Sequence, residues 1–139
     1  MPVDGAHLQH LATHVLTRLD VPGELELTIT CVDRERITEL NEAYLGGSGA
    51  TDVLAFPIDA PDEVVPGVPG ILGDVVVCPH VAAAQADEHG RTPAGELDLL
   101  LVHGVLHLLG HDHAEPEERA AMFGLTDALL SEFAAAAVP

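Results

Sequence analysis

Four of the nine histidines fall between residues 103 and 113, in His103-Gly-Val-Leu-His107-Leu-Leu-Gly110-His111-Asp112-His113. Positions four apart on an α-helix are displaced about 6 Å along the axis and nearly eclipsed, so His103 and His107 project from one face. Two imidazoles placed in this way can reach a single divalent ion at about 2.0–2.1 Å. Gly110 lets the helix end in a left-handed turn, and the returning chain brings either His111 or His113 toward the same point. His113 has the better claim to be the third ligand, because it completes the spacing H-x3-H-x2-G-x2-H. His111, directly after the glycine, is the alternative. One histidine on the apolar face of such a helix usually reads as a core residue; three around a terminating glycine do not.

A closed structural zinc site usually takes four protein ligands rich in cysteine, and neither Cys31 nor Cys78 is near this segment. Three neutral imidazoles leave one coordination position open to water, whose pKa a bound dication lowers toward about 7. The expectation is therefore a hydrolase with one zinc ion per chain, held by His103, His107 and His113. Imidazole also suits nickel, copper and iron. Zinc proteases that share this zincin-like spacing carry Glu directly after the first histidine as general base; here that position is Gly104, and a peptidase lacks its base. Asp112 is the only carboxylate of the tight loop. It can accept a hydrogen bond from a ligand's second ring nitrogen, assist proton transfer, or simply form the turn. No other catalytic acid or base is identified.

The helix bearing these residues needs a scaffold, and the sequence outlines one. Leu8, Leu11, Val15, Leu16 and Leu19 have helical spacing, and Pro22-Gly23 ends that element. Glu24 to Cys31 alternates, with Leu25, Leu27, Ile29 and Cys31 on one face of a strand. Asp33 is placed to cap a helix that carries Ile37, Leu40 and Tyr44 inward and stops at the loop Gly46-Gly47-Ser48-Gly49. Thr51 to Phe56 reads as a short strand closed by Pro57. Residues 57–70 read as an exposed, proline-rich loop. Leu72 to Cys78 is more continuously apolar and therefore the more central strand.

Pro79 opens a helix through about His89, with Gly90 as its cap. Thr92-Pro93 starts the histidine-bearing helix, which runs to Leu109. Glu115-Pro116 starts the last helix, with Met122, Leu125, Leu129 and Phe133 inward and a tail from residue 134 that frays. The order describes a single α+β domain, 1–139, in which helices cover a mixed sheet of at least three strands. A fourth, edge strand has room in the first residues or in the proline-rich loop.

Composition restricts the setting. No apolar run approaches the roughly 18 residues of a membrane span, and the N-terminus lacks the basic and apolar regions of a secretory signal. Both cysteines read as small buried thiols in a reducing compartment. Together these features predict a cytoplasmic protein. Against 23 acidic residues stand five arginines and no lysine, a formal net charge of −18. Taken alone, that balance opposes nucleic acid as a partner, since phosphate binding relies on Lys and Arg. A general acidic bias that keeps the protein soluble is the plainer account.

Three blocks nonetheless resemble the YbeY family of bacterial rRNA maturation factors: Thr51-Asp-Val-Leu-Ala-Phe-Pro57, Leu72-Gly-Asp-Val-Val-Val-Cys78 and the histidine segment 103–113. Leu40-Asn41 and the acidic stretch from Glu115 fit as well, and the similarity spans about residues 24–133. The resemblance implies a single-strand-specific endoribonuclease that trims ribosomal RNA, notably at the 3′ end of the small-subunit RNA, and takes part in ribosome quality control. Its implied metal ligands are His103, His107 and His113, and its implied fold is a mixed sheet of about four strands with surrounding helices. Ribosomal RNA, the ribosome and small-subunit assembly proteins are the implied partners.

Two departures stand out. The family usually has Arg after the Tyr44 position and Lys two further on, where this chain has Leu45 and Gly47, and its N-terminal segment is short. Arg91, Arg34 and Arg36 remain as candidate phosphate contacts. The competing readings are a non-catalytic, zinc-stabilised ribosome-assembly factor and a zincin-like peptidase.

Overall fold

Asp4 accepts a hydrogen bond from the His7 amide at 3.1 Å and so caps the first helix, α1 (Gly5–Arg18). It opens the computed structural model, which describes residues 3–21, 25–44, 46–47, 49, 51–59, 67, 69–111 and 115–136. The chain continues through β1 (Leu25–Cys31), α2 (Arg34–Tyr44), β2 (Val53–Pro57), β3 (Gly70–Val77), α3 (Pro79–His89), α4 (Pro93–Leu108) and α5 (Pro116–Ala136).

Among the described residues the sheet has three strands in the order β1-β3-β2, with β1 parallel and β2 antiparallel to the central β3. The sheet is mixed, as expected, but a fourth strand is not found among these residues; most of the 57–70 loop lies outside them. β3 is central because both its faces are apolar. Val75 and Val77 enter the main core with α1, α4 and α5, whereas Val76 joins Ile37, Leu54 and Cys78 on the other face, under α2. The β1–β3 register shifts at Glu26/Leu27. Opposite that shift lies Gly73 at φ +151°, where a Cβ would collide with the Phe56 carbonyl oxygen and crowd Leu108. Glycine in Leu72-Gly73-Asp74 is thus required by sheet and helix packing together.

The caps follow the sequence. Asp33 accepts from the Arg36 amide at 2.8 Å to start α2, and Gly90 closes α3 at φ +68°. α5 buries Met122 and Leu129, half-buries Leu125 and Phe133, and also buries Thr126, whose hydroxyl donates to the Met122 carbonyl at 2.8 Å.

Three expectations are corrected. Tyr44 is 71% exposed rather than inward: it ends α2 beside the edge strand, where the Phe56 ring meets its own edge-on, with centroids 6.3 Å apart. Cys78 is buried, but Cys31 ends β1 in an exposed position; partial burial still pushes its thiol pKa up. α5 continues to Ala136, past residue 134 where fraying was expected to begin.

Candidate functional site

α4 begins where Thr92 accepts from the Gly95 amide at 3.0 Å, with Pro93 in the first helical position. Leu97, Leu100, Leu101, Val102, Val105, Leu106 and Leu108 are all buried, so the helix is held by apolar contact on most of its circumference. His103 and His107 occupy what remains: both are half-buried, one turn apart on the same face. Burial of their neighbours fixes the helix rotation, and with it the face from which both side chains leave.

Between them, Gly104 lies against the sheet. A Cβ at that position would stand 2.6 Å from Val75 Cγ1 and 3.1 Å from Val53 Cγ2. The position that would hold a peptidase's glutamate therefore faces the core, away from the histidine face, and glycine is what allows α4 to approach β3. The helix ends as the sequence predicts. Gly110, at φ +95°, donates to the His107 carbonyl at 3.0 Å, and the His111 amide donates to the Leu106 carbonyl at 3.0 Å. This pair of bonds is the Schellman closure, in which the left-handed residue is nearly always glycine.

His111 is exposed just beyond it. His113 and Asp112 lie outside the described residues, and among those that are described no group of three metal-binding side chains forms. His103 and His107 are thus brought together as expected, while the third ligand and the role of Asp112 rest on the sequence. As a donor set, two neutral imidazoles on one helical face, followed by a tight reversal, fit a divalent ion of the zinc type.

His103 also lines a cavity of about 670 Å³ with Asp52, Gln85, His89, Arg91, Glu96, Leu99, Leu100, Phe123 and Asp127. Phe123 presents its ring to His103 edge-on, with centroids 5.0 Å apart, yet remains 44% exposed. Glu96 is only 1% exposed; its Oε1 meets His89 Nδ1 at 3.0 Å and its Oε2 accepts from Arg91 Nη1 at 3.1 Å. Sequence reasoning missed His89, Glu96 and Phe123. The available signal was an acid in the first turn of a largely apolar helical run, preceded within seven residues by His-Gly-Arg across a helix corner.

A family profile described as Endoribonuclease YbeY matches residues 2–134. The chain belongs to the YbeY family. Relatives of that name include one from Cutibacterium acnes, 48% identical over 133 residues, which cover 94% of this chain and 86% of the relative. Another, from Nocardioides sp., is 47% identical over 140 residues, covering 96% and 92% respectively. Among solved structures, the solution structure of a Thermotoga maritima protein superposes with a TM-score of 0.60 at 26% identity, covering 98% of this chain and 90% of that one. The members' shared name describes an RNA hydrolase. No described helix is long and apolar enough to cross a membrane.

Proposed function

We propose that the chain is a metal-dependent, single-strand-specific endoribonuclease acting in rRNA processing, including maturation of the small-subunit RNA 3′ end, and in ribosome quality control. Cytoplasmic ribosomal RNA is its substrate, and ribosomal or small-subunit assembly proteins present it. One observation carries the reading: in a member of an endoribonuclease family, His103 and His107 share the half-buried face of α4 beside an open cavity. His103, His107 and His113 would hold one zinc ion, which supplies Lewis acidity toward a phosphoryl group. The protein's part is positional. Apolar burial of α4 keeps both histidines on one face, and the cavity wall offers a ring (Phe123) and a guanidinium (Arg91) to a single strand.

A second reading, the non-catalytic zinc-stabilised assembly factor, draws on the acidic composition and on Leu45 and Gly47. Gly47 adds to it, since its amide donates to the Asn41 carbonyl at 3.1 Å and a Cβ there would overlap the Asn41 side-chain amide. Glycine thus stands against the Asn41 side chain where the family resemblance implies lysine. The peptidase reading loses ground, because the residue after His103 faces Val75.

The test couples metal analysis to cleavage of a single-stranded RNA. Wild type should hold about one zinc ion per chain and cut; His103→Ala, His107→Ala and His113→Ala should remain folded by circular dichroism, lose the metal and stop cutting, and chelation should silence wild type. Metal-replete wild type that binds ribosomal particles but cuts no RNA would establish the assembly-factor reading instead. Leu45→Arg should raise cleavage if the missing loop charge limits the rate.

A further inference from the structure

The cavity beside His103 contains an arrangement that packing does not account for. A fully buried carboxylate is costly, and an ion pair around it seldom repays the desolvation. Yet Glu96 is buried in the first turn of α4, with one oxygen on His89 at the end of α3 and the other on Arg91 in the linker between them. Both partners are about half-exposed, at 48% and 46% of their side chains. The carboxylate therefore lies behind its two partners, and both partners line the cavity. The Arg91 amide donates to the Ala86 carbonyl at 2.9 Å, while its guanidinium donates one N–H to Glu96 and none to any other described residue, so most of its five side-chain donors remain available.

The other arginines lie elsewhere. Arg18 pairs with Glu132 at 3.2 Å and Arg36 with Glu39 at 3.1 Å; Arg34 and Arg119 are exposed near the starts of α2 and α5. Of all five, only Arg91 shares the cavity with His103.

Resting on the RNA-cleaving reading above, we infer that Arg91 is the substrate phosphate contact of this cavity and that Glu96 is the positioning residue that aims it, with His89 on the second carboxylate oxygen. Asp52 and Asp127 face the same space and oppose an anion. Asp52 is partly engaged, since its Oδ1 accepts from the Val53 amide at 2.7 Å. With so few cations the contact supplies orientation more than affinity, and Phe123 offers its exposed ring to the neighbouring base. A guanidinium held at a fixed angle grips a phosphate through two N–H groups, which a lysine cannot reproduce.

The experiment uses the zinc-loaded full chain with a fluorescent single-stranded RNA oligonucleotide, reading binding across a salt series and, separately, steady-state cleavage. Arg91→Ala should weaken binding about 5- to 10-fold, lower the log–log salt slope by roughly 0.7, and raise KM more than it lowers kcat. Arg91→Lys should restore the slope but only part of KM. Glu96→Gln keeps the shape and removes the charge, so it should follow Arg91→Ala in KM while leaving the slope intact. Arg18→Ala should match wild type throughout. An Arg91→Ala protein with unchanged slope and KM overturns the inference, as does wild type that fails to bind the oligonucleotide. Wild type that binds but does not cut overturns the nuclease reading alone, and the salt slope still decides the role of Arg91.

Discussion

Gly104 and Cys31 show how much a single position can report. The missing Cβ of Gly104 accommodates Val75 Cγ1 at 2.6 Å, so Gly104→Ala must push α4 off the sheet. Overpacking of this kind costs about 1–3 kcal/mol, to be read as a lower urea midpoint with unchanged m. Cleavage should fall with it, because His103 moves on the same helix. A Gly104→Ala variant of undiminished stability would contradict the packing described. For Cys31, partial burial raises the thiol pKa above its ordinary value of 9.0. The thiolate is the reactive form, so a raised pKa leaves less of it at neutral pH. Alkylation of Cys31 at pH 8 should be slower than that of a free thiol, with a pH midpoint above 9.

Helix ends carry the next level of organisation. Gly110 closes α4 at φ +95° and sets the direction in which the chain leaves toward residue 113. Gly110→Ala keeps the histidines but places a Cβ in a left-handed conformation, at a cost of about 1–2 kcal/mol. Zinc affinity should drop more than stability does, measured by competition with a chromogenic chelator; equal affinity would show that the turn does not present the third ligand. Most of these elements were legible in the sequence, because caps and breakers act locally: Asp33, Pro79, Gly90, Thr92-Pro93 and Gly110 each sit where a helix starts or stops. Tyr44 was misplaced because periodicity tells which face of a helix is apolar but not where the sheet beneath it ends. The Glu96 cluster was illegible for a related reason, since it joins a helix end, a linker and a first turn whose meeting is a matter of tertiary geometry.

At the scale of the molecule, a net charge of −18 governs how any polyanion is met. Free single-stranded RNA should bind weakly and with a shallow salt dependence, releasing fewer than about five ions; a log–log slope near −8 would contradict this. On the proposed function, productive affinity would then depend on a partner that presents the strand. The central position of β3 was readable from its apolar run, as was the mixed sheet from the order of elements, whereas the strand order itself follows only from the pairing.

One continuous helix carries Glu96 near its start and His103 and His107 near its end, so the carboxylate proposed to aim Arg91 and two of the proposed metal ligands ride on the same rod. Their separation along it, about 10 Å from Glu96 to His103 at ~1.5 Å per residue, is written in backbone hydrogen bonds and not in loop conformation. On the proposed reading, substitutions elsewhere would alter how often a strand is cut, while the spacing from the carboxylate that aims the arginine to the imidazoles stays the same.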